Sequence, residues 1–423
     1  MISFRKFVWK LLHLLPDDVR YSIIRAQIDL KKELLIDFKF KIATTQEEIE
    51  QGFKLLYECY LENGLMNPNN SELRITKYHL LPTSTIIVGK RGNEVVATVT
   101  HVMDSPFGLP CENHGNMAEL RKQPNPIAEI SALAIKKGYR RNNSILFALT
   151  RYLYTYSTIH CGVRYWVICI NSRVEDYYRA IFFFTPLGGE VFKYDFVNGK
   201  SSVTLKADLN GLVGLFENHY KALAPHQNLY DFYLNDDREA FEEWPDFVFK
   251  TSTLPVFNPE MIKYFFDQKV DILNGLTAIE RREVLNAYHD PIYEAILENH
   301  EARKPNRRKD PRRVVSMRGF LIFNNGLINQ LINVSILNVS RGGMLVFCEH
   351  DLPEDQELEF QIEIIKDQTI LVKSAVIAKI TEVKFACRVE AEGNPGWIRF
   401  IESIESHISE FNSRTQGVLR DEN

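Results

Sequence analysis

AEISALAIKKGYRRNNSILFALTRYLYTYS, residues 128–157, holds the change of pattern on which the fold depends. Its first eight residues are apolar except Glu129 and Ser131, as in a short buried strand. A basic turn containing Gly138 follows, and from Ile145 onward apolar residues recur at helical spacing, with Asn143 or Ser144 as the cap. A strand feeding a helix in this way belongs to α/β and α+β domains rather than to bundles or sandwiches.

The pattern extends in both directions. Upstream, Thr45-Gln46-Glu47-Glu48 reads as a capping box for a helix carrying Ile49, Phe53, Leu56, Tyr57 and Tyr60. TSTIIVGK (83–90) and EVVATVTHVM (94–103) read as a hairpin about Arg91-Gly92-Asn93. Downstream, RYWVICI (164–170) is a strand and VEDYYRAIFFF (174–184) a helix. Three purely helical signals come next: Asn258-Pro259, a second capping box at Thr277–Glu280, and Asp290-Pro291. From GFLIF (319–323) to GWIRFIE (396–402) short β-type runs follow at close spacing, implying a small barrel or sandwich closed by the helix-like tail SIESHISEFNSRTQ. The expected division is an N-terminal helical segment (1–35), an α+β domain (36–250), a helical connector (251–303), a β-barrel (304–410) and a tail (411–423).

Composition is that of an ordinary globular chain: 423 residues, 45% hydrophobic, 25% charged and net charge -4. The six cysteines are scattered, with no C-x-x-C pair, so neither a disulfide framework nor a metal site is expected. The expectation is a reduced, cytoplasmic protein. No apolar run reaches the ~18 residues of a membrane-spanning helix. The opening segment MISFRKFVWKLLHLLP is aromatic, basic and free of acids. Such a helix packs on its own domain more often than on lipid, so contact with the inner membrane is the alternative reading.

RRKDPRR, residues 307–313, crowds five cations around one aspartate. Mutual repulsion calls for an anion, a charged surface or a solvated loop. Acids at Glu354, Asp355, Glu357 and Glu359 argue against a nucleic-acid surface. Downstream, Asn338, Ser340 and Gly343 interrupt a strand-like stretch. Guanidinium forks hold phosphates bidentately and stack on bases, Asn and Ser add hydrogen bonds, and glycine permits close approach. With Arg308 and Arg312 as R-x-x-x-R, these residues as N-x-S-x-x-G and GWIRF as a closing strand, the part from Arg303 to Ser406 resembles the PilZ family. That resemblance implies a cyclic di-GMP site at Arg307, Arg308, Arg312, Arg313, Asn338, Ser340 and Gly343.

From Phe38 to Leu209 the stretches YECYLENG, LRITKYHLLPTST, VTHVMDSPFGLP, AEIS and NSRVEDYYR, in that order, resemble the GNAT acyltransferase superfamily. Within it they are similar to the N-acyl amino acid synthase branch (FeeM-like), related to the acyl-homoserine-lactone synthases. The resemblance implies aminolysis of an acyl thioester. An attacking amine must be neutral, so a base near the acyl carbon is useful, and Glu129 is the candidate; the alternative is a structural ion pair. Tyr177 matches the tyrosine that protonates the leaving thiolate, with Tyr178 an equal contender. Arg74, Asp104, Ser131, Arg140, Arg141 and Asn171 are the substrate-side candidates, whereas His79 reads as a packed histidine.

Two departures bear on activity. Asn143 stands where the coenzyme A loop has its first glycine, which turns the expectation toward acyl carrier protein, rather than coenzyme A, as thioester donor. Ala132 stands where the branch has the arginine of E-x-S-R. Two functions therefore compete: a cyclic di-GMP-responsive acyltransferase acting on an amine such as an amino acid, and an inactive cyclic di-GMP effector that binds an acylated carrier or another protein.

Overall fold

The computed structural model describes residues 15–105, 107–121, 126–140, 143–188, 190–234, 241–244, 257–288, 293, 310, 313–324, 329–348, 350–354, 356–365, 368–381 and 384–418. An eight-stranded sheet forms the first part, in the order β1 (Phe38–Ile42), β2 (Ser84–Arg91), β3 (Glu94–Met103), β4 (Ile127–Ile135), β5 (Tyr165–Asn171), β8 (Lys200–Asp208) and β6 (Thr185–Pro186). β7 (Phe192–Tyr194) also pairs with β8. Every pairing is antiparallel except β4 with β5.

Helices cover both faces. α1 (Asp17–Arg25) precedes the sheet; α2 (Gln46–Glu62) lies on one face and α4 (Asn143–Thr155) on the other, with α3 (Met117–Arg121) in the loop before β4. Alternation along β2 shows why: Ile86 and Val88 join the core of α2, while Ile87 points into the core of α4. The capping box opens α2: Thr45 Oγ1 accepts from the Glu48 N–H at 3.2 Å, and the Glu48 carboxylate accepts from the Thr45 N–H at 3.5 Å. α5 (Glu175–Phe182), α6 (Leu209–Tyr220) and α7 (Leu229–Leu234) complete the α4 side. There the fully buried Arg151 guanidinium meets the fully buried Glu242 carboxylate at 2.7 Å and donates to the Phe232 carbonyl at 2.8 Å. A buried pair of this kind is satisfied only as a pair.

The described part of the helical connector belongs to the same body. α8 (Pro259–Lys263), a following π-helical turn and α9 (Ala278–Ala287) bury Phe257, Phe265, Phe266 and Val284 against Phe53 and Leu56 of α2. Asn258 caps α8 through the Met261 N–H at 2.8 Å, and Thr277 with Glu280 forms the second capping box. The helix expected at Asp290-Pro291 lies outside the described residues.

The last part is a closed antiparallel barrel in the order β10 (Asn329–Ser340), β11 (Gly343–Phe347), β14 (Lys384–Val389), β13 (Gln368–Thr381), β12 (Glu357–Ile365) and β9 (Arg313–Asn324). One expectation is corrected here. GWIRFIE is not a strand: it lies in the first turns of α10 (Pro395–Val418). Trp397, Phe400, Ile401 and Ile404 are all buried in the barrel core, and their spacing of three, four and seven puts them on one helical face. Closure needs no seventh strand, because β12 pairs with β9. Among the described residues no helix is long and apolar enough to cross a membrane.

Candidate functional site

The acyltransferase-side site arises where β4 and β5 part. They pair at Ile127 with Tyr165, Ala128 with Trp166 and Glu129 with Val167, and no further. Just beyond, β4 carries a bulge: Thr98 faces Ala134 and Thr100 faces Ser131, so Ala132 and Leu133 together oppose Val99. Ala132 takes the left-handed conformation, φ 54°, which alanine adopts only under strain. The strand bends, and a cavity of 210 Å³ opens between β4 and β5. Its walls are mostly apolar, among them Ile130, Leu133, Leu153 and Ile168, and its polar members include Glu129, Ser131, Thr150, Asn171 and Tyr178.

Glu129 is 2% exposed and accepts from the Cys111 backbone N–H at 2.7 Å. Burial raises its pKa to about 7, against the lowering effect of that hydrogen bond. Among the described residues Glu129 makes no ion pair, and the Cys111 N–H is what holds its carboxylate. The partner loop is itself tethered: Tyr78 Oη donates to the Leu109 carbonyl at 3.2 Å and Tyr194 Oη to the Pro110 carbonyl at 2.8 Å. Sequence reading missed Cys111, Tyr60, Tyr194 and Phe196, for they arrive from distant segments and form no local motif.

The two tyrosines of α5 part company. Tyr178 lines the cavity, and burial lifts its hydroxyl to about 12. Tyr177 does not line it; its ring packs on Phe182, and its buried Oη has no hydrogen-bond partner among the described residues. Successive helical residues lie 100° apart, so only one of the pair can face the cleft. Of the two tyrosines weighed for the leaving thiolate, Tyr178 is the one that reaches the cavity.

Ser131 also lines a smaller neighbouring cavity with Arg74, Thr76, His79 and Thr100. There the Arg74 guanidinium stacks on Tyr60 at 4.0 Å and donates to the Phe196 carbonyl at 2.8 Å. His79 is a packed residue: its Nδ1 accepts from the Thr76 N–H at 3.0 Å, and burial with the Arg74 charge lowers its pKa to about 3. Asn171 lines the main cavity while its Oδ1 accepts from the Arg173 N–H at 3.0 Å. Two expected contacts are engaged elsewhere. Asp104 binds Arg121 through both carboxylate oxygens, at 2.7 and 2.8 Å. Arg140 donates to the Ile135 carbonyl at 2.7 Å and pairs with Glu62 at 2.8 Å, away from the cavity. Arg141 lies outside the described residues.

On the barrel, register sets Arg313, the last residue of the basic run, beside the second motif. Asn338 stands opposite Val314 and Val339 opposite Arg313, so the strand entered by RRKDPRR runs beside the N-x-S-x-x-G turn. A Cβ placed on Gly342 would lie 3.0 Å from the carboxylate of Asp310. Ser340 Oγ donates to the Gly343 carbonyl at 3.2 Å, and Trp397 Nε1 donates to the Ser340 carbonyl at 3.1 Å. Asn338 is buried, and its Oδ1 has no partner among the described residues. At Gly343 a Cβ would sit 2.5 Å from the Cys387 carbonyl, so the approach of β14 also requires glycine there. Arg307, Arg308 and Arg312 lie outside the described residues. No group of three His, Cys, Asp or Glu side chains among the described residues could hold a metal ion.

Comparison with known proteins agrees with both halves. Residues 51–208 match the family model of the N-acyl amino acid synthase FeeM, and residues 306–396 match that of the PilZ domain. A search of curated proteins finds no match. Among solved structures, similarity is found to FeeM, an N-acyl amino acid synthase from uncultured soil microbes, at 18% identity and TM-score 0.36, over 42% of this chain and 93% of that one. The acyl-homoserine-lactone synthase LasI matches at 18% identity and TM-score 0.32, over 41% of this chain and 90% of its own. YcgR from Escherichia coli, solved with cyclic di-GMP, matches at 16% identity and TM-score 0.22, over 26% of this chain and 50% of its own. The chain thus carries a domain that matches the N-acyl amino acid synthase FeeM model and, after it, one that matches the PilZ domain model.

Proposed function

We propose that the protein is an N-acyltransferase that moves a fatty acyl group from a thioester to an amine such as an amino acid, under the influence of cyclic di-GMP bound to its barrel. One observation carries this reading: a buried carboxyl, held by the Cys111 N–H and raised by burial to a pKa of about 7, in the wall of a mostly apolar cleft. Such a group takes a proton near neutral pH without a large driving-force penalty. The acyl chain lies between β4 and β5. The neutral amine attacks the thioester carbonyl, Glu129 removes the ammonium proton, the C–S bond breaks, and Tyr178 donates its proton to the departing thiolate. Ser131 and Asn171 contact the substrates in the main cleft. Arg74, fixed by stacking beside Thr76 and Thr100, anchors the acceptor's carboxylate.

Acyl carrier protein is the favoured donor. Asn143 replaces the loop glycine, and in the first turn of α4 the buried Ser144 Oγ accepts from the Lys31 N–H at 2.7 Å, so the chain itself occupies part of the position where a pyrophosphate would need donors. On the barrel, Asn338 Oδ1 offers a buried acceptor to a guanine N–H, and Arg307, Arg308, Arg312 and Arg313 supply phosphate contacts beside Ser340. The catalytic unit is taken as 36–250 and the barrel as 304–410. The test is mass spectrometry of lipid extracts from cells expressing wild type and Glu129→Gln. A new N-acylated amine that disappears in the variant supports the reading. No acylated product in wild type, with cyclic di-GMP binding intact, selects the inactive effector instead.

A further inference from the structure

Two apolar spaces meet at one wall. The cleft between β4 and β5 ends on Trp166 and Phe182, and the same two rings bound a second cavity of 20 Å³ on the side of α6 and α7. Tyr154, Leu212, Val213, Phe216, Tyr233 and Leu234 make up the rest of that second lining. The space is lined almost wholly by apolar groups, so hydrocarbon is favoured there over water. Its hydroxyl-bearing neighbour Tyr233 is already satisfied, at 2.5 Å from Oγ1 of Thr150, a residue of the main cleft.

The two halves of the wall differ in how they are held. Trp166 is pinned, since its Nε1 donates to Ser157 Oγ at 2.9 Å. Phe182 is kept only by packing against rings of Phe147, Tyr177 and Tyr178 at 6.0 to 6.3 Å, and it is the last residue of α5, followed by Phe183 at φ 55°. We propose that Phe182 sets the length of acyl chain the protein accepts: its ring closes the inner end of the cleft, and the void beyond receives the methyl end of longer chains when the ring is absent or turned. This rests on the reading that the cleft holds the acyl chain.

The test uses the full chain and a ladder of saturated fatty acids competing with a fluorescent fatty acid. Each methylene that finds apolar space tightens binding about fourfold, and the gain stops where the chain meets the wall. In wild type the affinity therefore breaks at one length. In Phe182→Ala the break moves to longer chains, and adding Val213→Phe to that variant moves it back. Phe182→Leu, a gentler change for α5, moves the break in the same direction by less and serves if the alanine variant does not fold. A folded variant whose break stays at the wild-type length overturns the proposal. Failure of wild type to bind any fatty acid removes the acyl reading itself, and this proposal with it.

Discussion

At the scale of single residues, Glu129 is governed by burial. Its folded pKa of about 7 exceeds the ordinary 4.5, so the carboxyl keeps its proton in the fold while the unfolded chain has lost it. The sign follows: this group's contribution to stability falls as pH rises from 4.5 to about 7 and is flat above. Glu129→Gln abolishes that dependence and holds a neutral side chain at every pH. Acyl transfer should drop about 10²–10⁴-fold in the variant, and the wild-type rate should rise with pH through about 7, as seen in steady-state assays with an acyl carrier thioester. A fully active variant would assign the proton to water. Tyr178→Phe should lower turnover while Tyr177→Phe leaves it near wild type, since only Tyr178 reaches the cavity. Equal effects would return the two to the parity they have in sequence.

At the scale of elements, the β9–β10–β11 corner holds both residues proposed for recognition and residues that pack the barrel. Arg312→Ala should weaken cyclic di-GMP binding about ten- to a hundredfold in calorimetry, the range of a lost charge-assisted hydrogen bond, and Ser340→Ala should weaken it less. Unchanged affinity in Arg312→Ala would return the basic run to a solvated loop. Gly343→Ala belongs to a different class. Its Cβ would collide with the backbone carbonyl of Cys387, and backbone yields less readily than a side-chain tip. The barrel should lose about 1–3 kcal/mol in denaturant unfolding. Loss of ligand affinity with unaltered barrel stability would mean that Gly343 serves the ligand and not the packing of β11 on β14.

At the scale of the whole molecule, the connector decides where movement can start. α9 is fastened to the acyltransferase domain: Lys77 pairs with Glu280, and Tyr288 Oη donates to the Leu80 carbonyl at 2.6 Å. A signal from RRKDPRR should therefore reach the short helix holding His79, next to Arg74, through α9. Hydrogen exchange with cyclic di-GMP present should show protection spreading from 303–313 into 277–288; protection confined to the barrel would make the basic run a docking site alone. Acid should also destabilise the first domain before most carboxylates titrate. His79 and His101 are buried and neutral with pKa about 3, whereas the unfolded chain takes up their protons near 6.5. Each costs about 1.4 kcal/mol per pH unit below 6.5 and Glu129 returns a similar amount; His160, lowered by burial as well, adds to the loss, so the net is at least about 1.4 per unit down to pH 5. Thermal unfolding between pH 7 and 5 checks this, and a flat profile would refute it.

The sequence by itself determined the local elements and the two motif sets. Thr45 with Glu48, and Thr277 with Glu280, announce helix starts because a capping box is satisfied within four residues. The hairpin at Gly92 and the β-type runs of the barrel were legible for the same reason: each is a short-range pattern. GWIRF was misread because β-branched and aromatic residues suit strand and helix alike in a short run, and only the barrel core shows that Trp397, Phe400, Ile401 and Ile404 are wanted on one helical face. Tertiary structure alone decided that β4 bulges at Ala132, that the Cys111 N–H meets Glu129, that Tyr178 rather than Tyr177 faces the cleft, and that Gly343 serves β14. Each of these depends on segments distant in the chain. Burial, which shifts Glu129 to about 7, is a property of the surroundings and is written in no one stretch of sequence.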